Sequence, residues 1–342
     1  MIYDILKYSK QQMNVNHKSP TLFLLLTCLI FFSSCASLPI HPPANELLSY
    51  TAEDDETVFS RYSPVFVVEH YMDKYNLIGT PSARITKDVK EEIFVDPEKP
   101  TIYTQERMFK TSKGKYTNLI YRIHFEKVPF GLIPFYLGAG KNVGLIVVVT
   151  LNHEDSPILY TIVHTCGCYL SFIPTSYMPE EAFPEGWRKE RQYVISENLP
   201  GYLDYKGASL DQTRTMILIK SGSHRVKDVW LSNVNLLKNY DIVRARVLPL
   251  QSLKKLHMTD KETTSFYETS ESQNGYVKGS YKPWERLFIS WWALDWKVGE
   301  DKKIGRDKED GPIFYTSLKP WDREASDMRN FVAFLEYWGW GL

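Results

Sequence analysis

From residue 64 onward short runs rich in β-branched, aromatic and other apolar residues recur between polar turns, as strands do, and near the C-terminus the apolar positions take the spacing of a helix. Residues 65–71 are rich in β-branched and aromatic side chains, as a strand requires. Residues 101–110 and 116–126 read as two strands joined by a polar loop containing Gly114. In the second of them, Leu119, Tyr121, Ile123 and Phe125 share one face; Arg122, His124 and Glu126 share the other, facing water or another layer. Residues 144–151 are apolar on both faces, which predicts a central strand covered on both sides. A turn at 152–156 returns the chain as a strand over 157–164, and a short apolar run follows at 170–173.

A further hairpin is expected from 214–220 and 225–231, then a strand at 241–248 and a short helix at 251–256. Residues 128–140 hold two prolines and three glycines and read as an irregular loop. In the last sixty residues Trp284, Leu287, Phe288, Trp291 and Leu294 recur at helical spacing, with Pro283 suited to the first turn. Asp322 can cap a second helix whose apolar face carries Met328, Phe331, Phe334, Leu335 and Trp338. Stripes of this kind ordinarily pack against a core; a membrane-surface or partner-binding role for the tryptophans is the alternative. The expected fold is therefore α+β and β-rich, with a mostly antiparallel sheet system over 57–256. A polar linker or surface loop is expected over 257–282, and a helical segment over 283–342 packed on the sheet.

The N-terminus departs from this pattern. Residues 21–32 form an uncharged apolar run, too short for a bilayer span of roughly 20 residues. Lys18 flanks the run on its N-terminal side, and Ser33, Ser34 and Cys35 end it. Small residues before a cysteine at the end of such a run resemble the lipobox of bacterial lipoproteins, over about residues 18–37. The resemblance implies a signal peptide over 1–34, with Met13 a candidate true start, and a lipid on Cys35, which becomes the first residue of the mature chain. Phe32 stands where that class usually has leucine, and Ala36 lacks the aspartate that resembles inner-membrane retention. The resemblance thus implies an outer-membrane anchor facing the periplasm. Residues 35–56 hold two adjacent prolines and the acidic run Glu53 to Glu56, and read as a flexible tether.

Formal net charge is zero, so no basic excess points to nucleic acid. With 43% apolar and 14% aromatic residues, the chain has ample material for a core, which excludes a disordered class. Hydrolase signatures of the Gly-x-Ser-x-Gly and His-Glu-x-x-His types are absent from the sequence.

The stretch that could carry chemistry is His164-Thr165-Cys166-Gly167-Cys168. Its two cysteines can be free buried thiols, a local disulfide, a redox pair or metal ligands. An oxidising compartment favours the disulfide. Two thiolates with the His164 imidazole suit zinc or copper(I), although no cofactor is required by the pattern. A fourth donor must come from elsewhere. His153 lies at the far end of the 144–164 hairpin, some 25 Å away at about 3.3 Å per residue, and is ruled out. His124 and His70 are the remote candidates. The expected function is that of a lipid-anchored envelope protein that binds or scaffolds a protein partner. The alternative is an envelope redox or metal-binding protein, or an enzyme, centred on His164, Cys166 and Cys168.

Overall fold

A computed structural model describes residues 46–342 apart from 54–55, 89, 240 and 259–261. The stretch expected as a signal peptide, with Met13, and Cys35 and the first part of the expected tether lie outside the described residues.

Ten strands form one sheet. In chain order they are β1 (Leu47–Ala52), β2 (Val65–Glu69), β3 (Thr101–Lys110), β4 (Lys115–Val128), β5 (Gly140–Leu151), β6 (Pro157–His164), β7 (Leu170–Pro174), β8 (Thr213–Ile219), β9 (Val226–Asn233) and β10 (Ile242–Pro249). Their order across the sheet is β9-β8-β2-β1-β10-β3-β4-β5-β6-β7. The run β3 to β7 is an antiparallel meander, since each strand is followed by its neighbour in the sheet through a connection too short for a parallel crossover. Three junctions are parallel: β2 with β8, β1 with β10, and β10 with β3. Each is bridged by a long excursion of chain, the kind of connection that parallel pairing needs. The sheet is thus mixed: six of its nine junctions are antiparallel, in line with the expectation, and the three parallel ones were not expected. β1 falls inside the stretch expected as tether, and it is an inner strand between β2 and β10.

The alternation in β4 sorts the core into two layers. Leu119, Tyr121, Ile123 and Phe125 join one apolar cluster, while Ile120 joins the other. The sheet curls around the first cluster. Tyr160 on β6 and Thr215 on β8, each one strand in from opposite edges, are hydrogen-bonded at 2.8 Å.

The second layer covers the face that carries Arg122 and His124, and it is built from the C-terminal third. Within 257–282, expected as a linker or surface loop, Phe266, Tyr267 and Val277 are buried in this layer. α1 (Val58–Tyr62) is one short turn. α2 (Pro283–Ala293) starts at its proline and ends at Leu294, which takes the left-handed conformation. α3 (Phe331–Tyr337) is shorter than expected and is capped by Asn330 rather than Asp322. Phe331 meets Phe109 at 5.4 Å between ring centres, and Phe334 meets Phe172 at 5.7 Å. The chain ends with Trp340 buried against Trp187 and Phe172.

Candidate functional site

β6 delivers the chain to His164, and the next five residues form a tight turn into β7. His164 N–H donates to the Tyr169 carbonyl at 3.2 Å, and Gly167 N–H donates to the His164 carbonyl at 2.7 Å. Thr165 N–H ties the turn to β5 through the Gly144 carbonyl at 3.0 Å. Gly167 has φ +83°, a conformation that favours glycine. A side chain there would also run into the Tyr315 carbonyl. The turn holds the Cys166 and Cys168 Cα atoms 5.4 Å apart, and their sulfurs form a disulfide.

The His164 ring joins this pair, with donor atoms of all three residues within 4.8 Å of one another. Its Nε2 lies 3.0 Å from the His224 carbonyl oxygen. A carbonyl only accepts, so Nε2 carries the proton and Nδ1 keeps its lone pair. Burial pushes His164 down to about 3, against the hydrogen bond to His224, so the ring is neutral at ordinary pH. Neutral imidazole oriented by a carbonyl is the state in which histidine ligates metal. The disulfide, however, bonds each sulfur to the other, and neither is a thiolate.

The remote donors do not reach the group, which among the described residues consists of His164, Cys166 and Cys168 alone. His124 is fully buried and packs edge-on against Phe266 at 4.8 Å. Arg122 Nε donates to its Nε2 at 3.0 Å, so that lone pair is already used. His70 is exposed, with Nδ1 2.7 Å from the Glu46 carboxylate. His153 is exposed at the hairpin turn.

Beneath the turn lies a layer of buried charge. Lys302 is fully buried; its ammonium donates to the Cys166 carbonyl at 3.1 Å and sits 3.7 Å from the centre of the Tyr315 ring. Burial pulls Lys302 down to about 8. Arg122 Nη1 donates to the Lys302 carbonyl at 2.8 Å. Lys282 pairs with Asp301 at 3.0 Å, both buried, and the Thr165 hydroxyl donates to the same carboxylate. The Glu285 carboxyl fits between Gly138 and Gly299, where a β-carbon at Gly299 would collide with it. Burial raises the Glu285 pKa. Pairing and hydrogen bonding let Lys282, Asp301 and Lys302 stay inside, whereas burial favours the neutral form of Glu285, whose Oε2 has no hydrogen-bond partner. The layer locks the cysteine turn, α2 and the 298–305 segment together.

Glu285 also fixes a surface. The loop at 130–135 folds over α2, stacking Phe130 on Trp284 at 5.0 Å between ring centres. Phe135 meets the same indole at 5.7 Å, and Phe288 continues the row at 6.1 Å. Trp291 N–H donates to the Phe288 carbonyl at 3.1 Å. The row is open to solvent: Phe130 is 64% exposed, Phe288 53% and Trp291 69%, and Ile133 in the loop is 96% exposed.

Sequence reasoning separated these features. It placed Phe130 to Phe135 in an irregular loop, although four large apolar residues beside two prolines were a signal of something other than solvent. Asp301 and Lys302 fall within the stretch expected as a helical segment, and nothing in their spacing distinguishes buried charges from solvated ones. Comparison with known proteins adds no family: no protein-family model, curated protein or solved structure matches the chain.

Proposed function

We propose that the protein is a lipid-anchored component of the bacterial cell envelope, held at the outer membrane facing the periplasm through Cys35, and that its domain binds or scaffolds rather than catalyses. The observation that carries the binding role is the aromatic face of the 130–135 loop and α2, since contiguous exposed apolar surface beyond a few hundred Å² marks an interaction site. The anchor rests on the resemblance of residues 18–37 to a lipobox. In the scaffolding role the domain presents the rest of its surface to an envelope protein. The Cys166–Cys168 disulfide then serves as a clasp on the turn, consistent with an oxidising compartment. The test is fractionation with mass spectrometry of the N-terminal peptide: the native chain is expected with membranes and with lipid on Cys35, and Cys35→Ala is expected to lose the lipid and to hold membranes less tightly. A native chain with no lipid on Cys35 overturns the anchor. Chemical crosslinking in intact envelopes that captures no stable protein partner overturns the scaffold.

One observation favours a second reading, a redox-gated metal site. His164 presents a neutral imidazole within reach of both sulfurs. A dithiol reductant supplying two electrons and two protons would open the disulfide to two thiols. Loss of two protons then gives two thiolates, and with one imidazole this soft donor set suits copper(I) or zinc. Elemental analysis of untagged protein, before and after dithiol reduction, decides this: stoichiometric metal in the reduced form supports it, and none in either form removes it.

A further inference from the structure

We infer that the aromatic face of the 130–135 loop and α2 seats on the interfacial region of a phospholipid bilayer, so that the domain is held to the membrane by protein as well as by its lipid. The inference rests on the anchored reading given above. Three observations select a bilayer as the occupant. The first is reach. Cys35 lies twelve residues before Leu47, the start of the first strand, and an extended chain of that length spans at most roughly 40 Å. A domain of 297 residues has a radius of gyration of about 19 Å, so a lipid on Cys35 keeps the whole domain within about its own diameter of the bilayer.

The second is composition. The face offers Trp291 and Trp292 with Phe130, Phe288 and Ile133, and tryptophan is the side chain that collects at membrane–water interfaces. The third is charge. α2 carries two charged residues, Glu285 and Arg286; Glu285 is buried between two glycines, and Arg286 is half-buried over the Tyr281 ring on the side of the helix away from Phe288 and Trp291, so the exposed face of the helix presents no carboxylate. A face without carboxylates meets no repulsion from a surface containing anionic phospholipid. α2 has eleven residues, too few to cross, and no helix among the described residues is long and apolar enough to span. The geometry is that of a helix lying in the interface with a loop dipping beside it.

The experiment uses the full chain, lipidated and reconstituted into vesicles of phosphatidylethanolamine with a minority of phosphatidylglycerol. An environment-sensitive fluorophore is placed at Ile133→Cys, at Leu287→Cys on α2 and, away from the face, at exposed Met108→Cys. The labels at 133 and 287 are expected to shift to shorter wavelength and to lose at least half their emission to nitroxide-labelled lipid, while the label at 108 does neither. Two labelled positions guard against one variant misfolding. Lipid found on Cys35 with labels that ignore the vesicles overturns this inference and leaves the anchor standing. Absence of lipid from Cys35 removes the anchor, and the labels still read the face when the chain is added to vesicles. Labels that become shielded without vesicles, in proportion to protein concentration, show a second copy on the face and overturn the inference.

Discussion

The buried ammonium of Lys302 donates to the Cys166 carbonyl oxygen at 3.1 Å, so a charge from the C-terminal layer sits directly on the cysteine turn. The Tyr315 ring lies under the ammonium, and the Arg122 guanidinium holds the backbone carbonyl of the same lysine. Lys302→Met deletes a charge-assisted hydrogen bond and a desolvated cation–π contact, and is expected to cost about 2 kcal/mol in denaturant unfolding at neutral pH. A pH signature separates this from mere packing. Because the folded Lys302 titrates at about 8, below an unfolded lysine, the unfolded chain holds the extra proton between the two values, and stability rises with pH from about 8 to about 10. Above about 10 buried Tyr50, Tyr103 and Tyr169, whose pKa values burial raises, reverse the slope. Stability measured across this range is expected to show the rise in the native chain and to lose it in Lys302→Met.

Acid acts through three histidines. Burial lowers His164 and His224 to about 3, and His124 well below its ordinary value. Each contributes stability that is present above about 6.5 and lost as pH falls toward the folded value, since the unfolded chain takes up a proton that the folded chain refuses. Together the three impose a slope of up to about 4 kcal/mol per pH unit. Glu285, raised by burial, works against it in the carboxylate range. His224→Asn is expected to remove about a third of the slope between pH about 6 and about 5, read as the shift of the denaturant midpoint. Asparagine also tolerates the φ of +53° at that position.

The disulfide and its glycine carry different loads. A ring closed over three residues removes little chain entropy, so Cys166→Ser with Cys168→Ser is expected to cost about 1.6 kcal/mol. Gly167→Ala forces a side chain into a left-handed position and into the Tyr315 carbonyl, and is expected to cost more, about 3 kcal/mol. Equilibrium unfolding of both variants checks the order. The reverse order makes the disulfide, and not the backbone of the turn, the main constraint.

The C-terminus closes the second layer. Trp340 is buried against Trp187 and Phe172, and Gly341 N–H donates to the Ala182 carbonyl at 2.9 Å. Trp340→Ala is expected to destabilise by about 3–5 kcal/mol, as for other large-to-small changes in a core, and calorimetry reads the loss directly.

How far the sequence reveals this molecule depends on the scale of the interaction. The alternation in 116–126 put Leu119, Tyr121, Ile123 and Phe125 on one face, and they line the first core cluster. The doubly apolar run at 144–151 is the buried centre of β5. Both signals are local. The mixed sheet was not legible, because the parallel pairing of β1 with β10 joins residues almost two hundred positions apart and leaves no periodic trace. Polarity misled at 257–282, where Phe266 and Val277 are buried among hydrophilic neighbours. At the cysteine turn the residues were legible, but their setting was not. Lys302 and Arg122 arrive from distant segments, and the Arg122 hydrogen bond that engages His124 depends on the fold.

The anchor is the claim on which the localisation and the membrane-facing surface both rest, and mass spectrometry of the N-terminal peptide of the chain purified from bacterial envelopes tests it most directly. The expected result is a mature chain that begins at Cys35, lacks residues 1–34, and carries a diacylglyceryl thioether on the sulfur. A chain that begins at any other residue, or an unmodified Cys35 thiol, contradicts it.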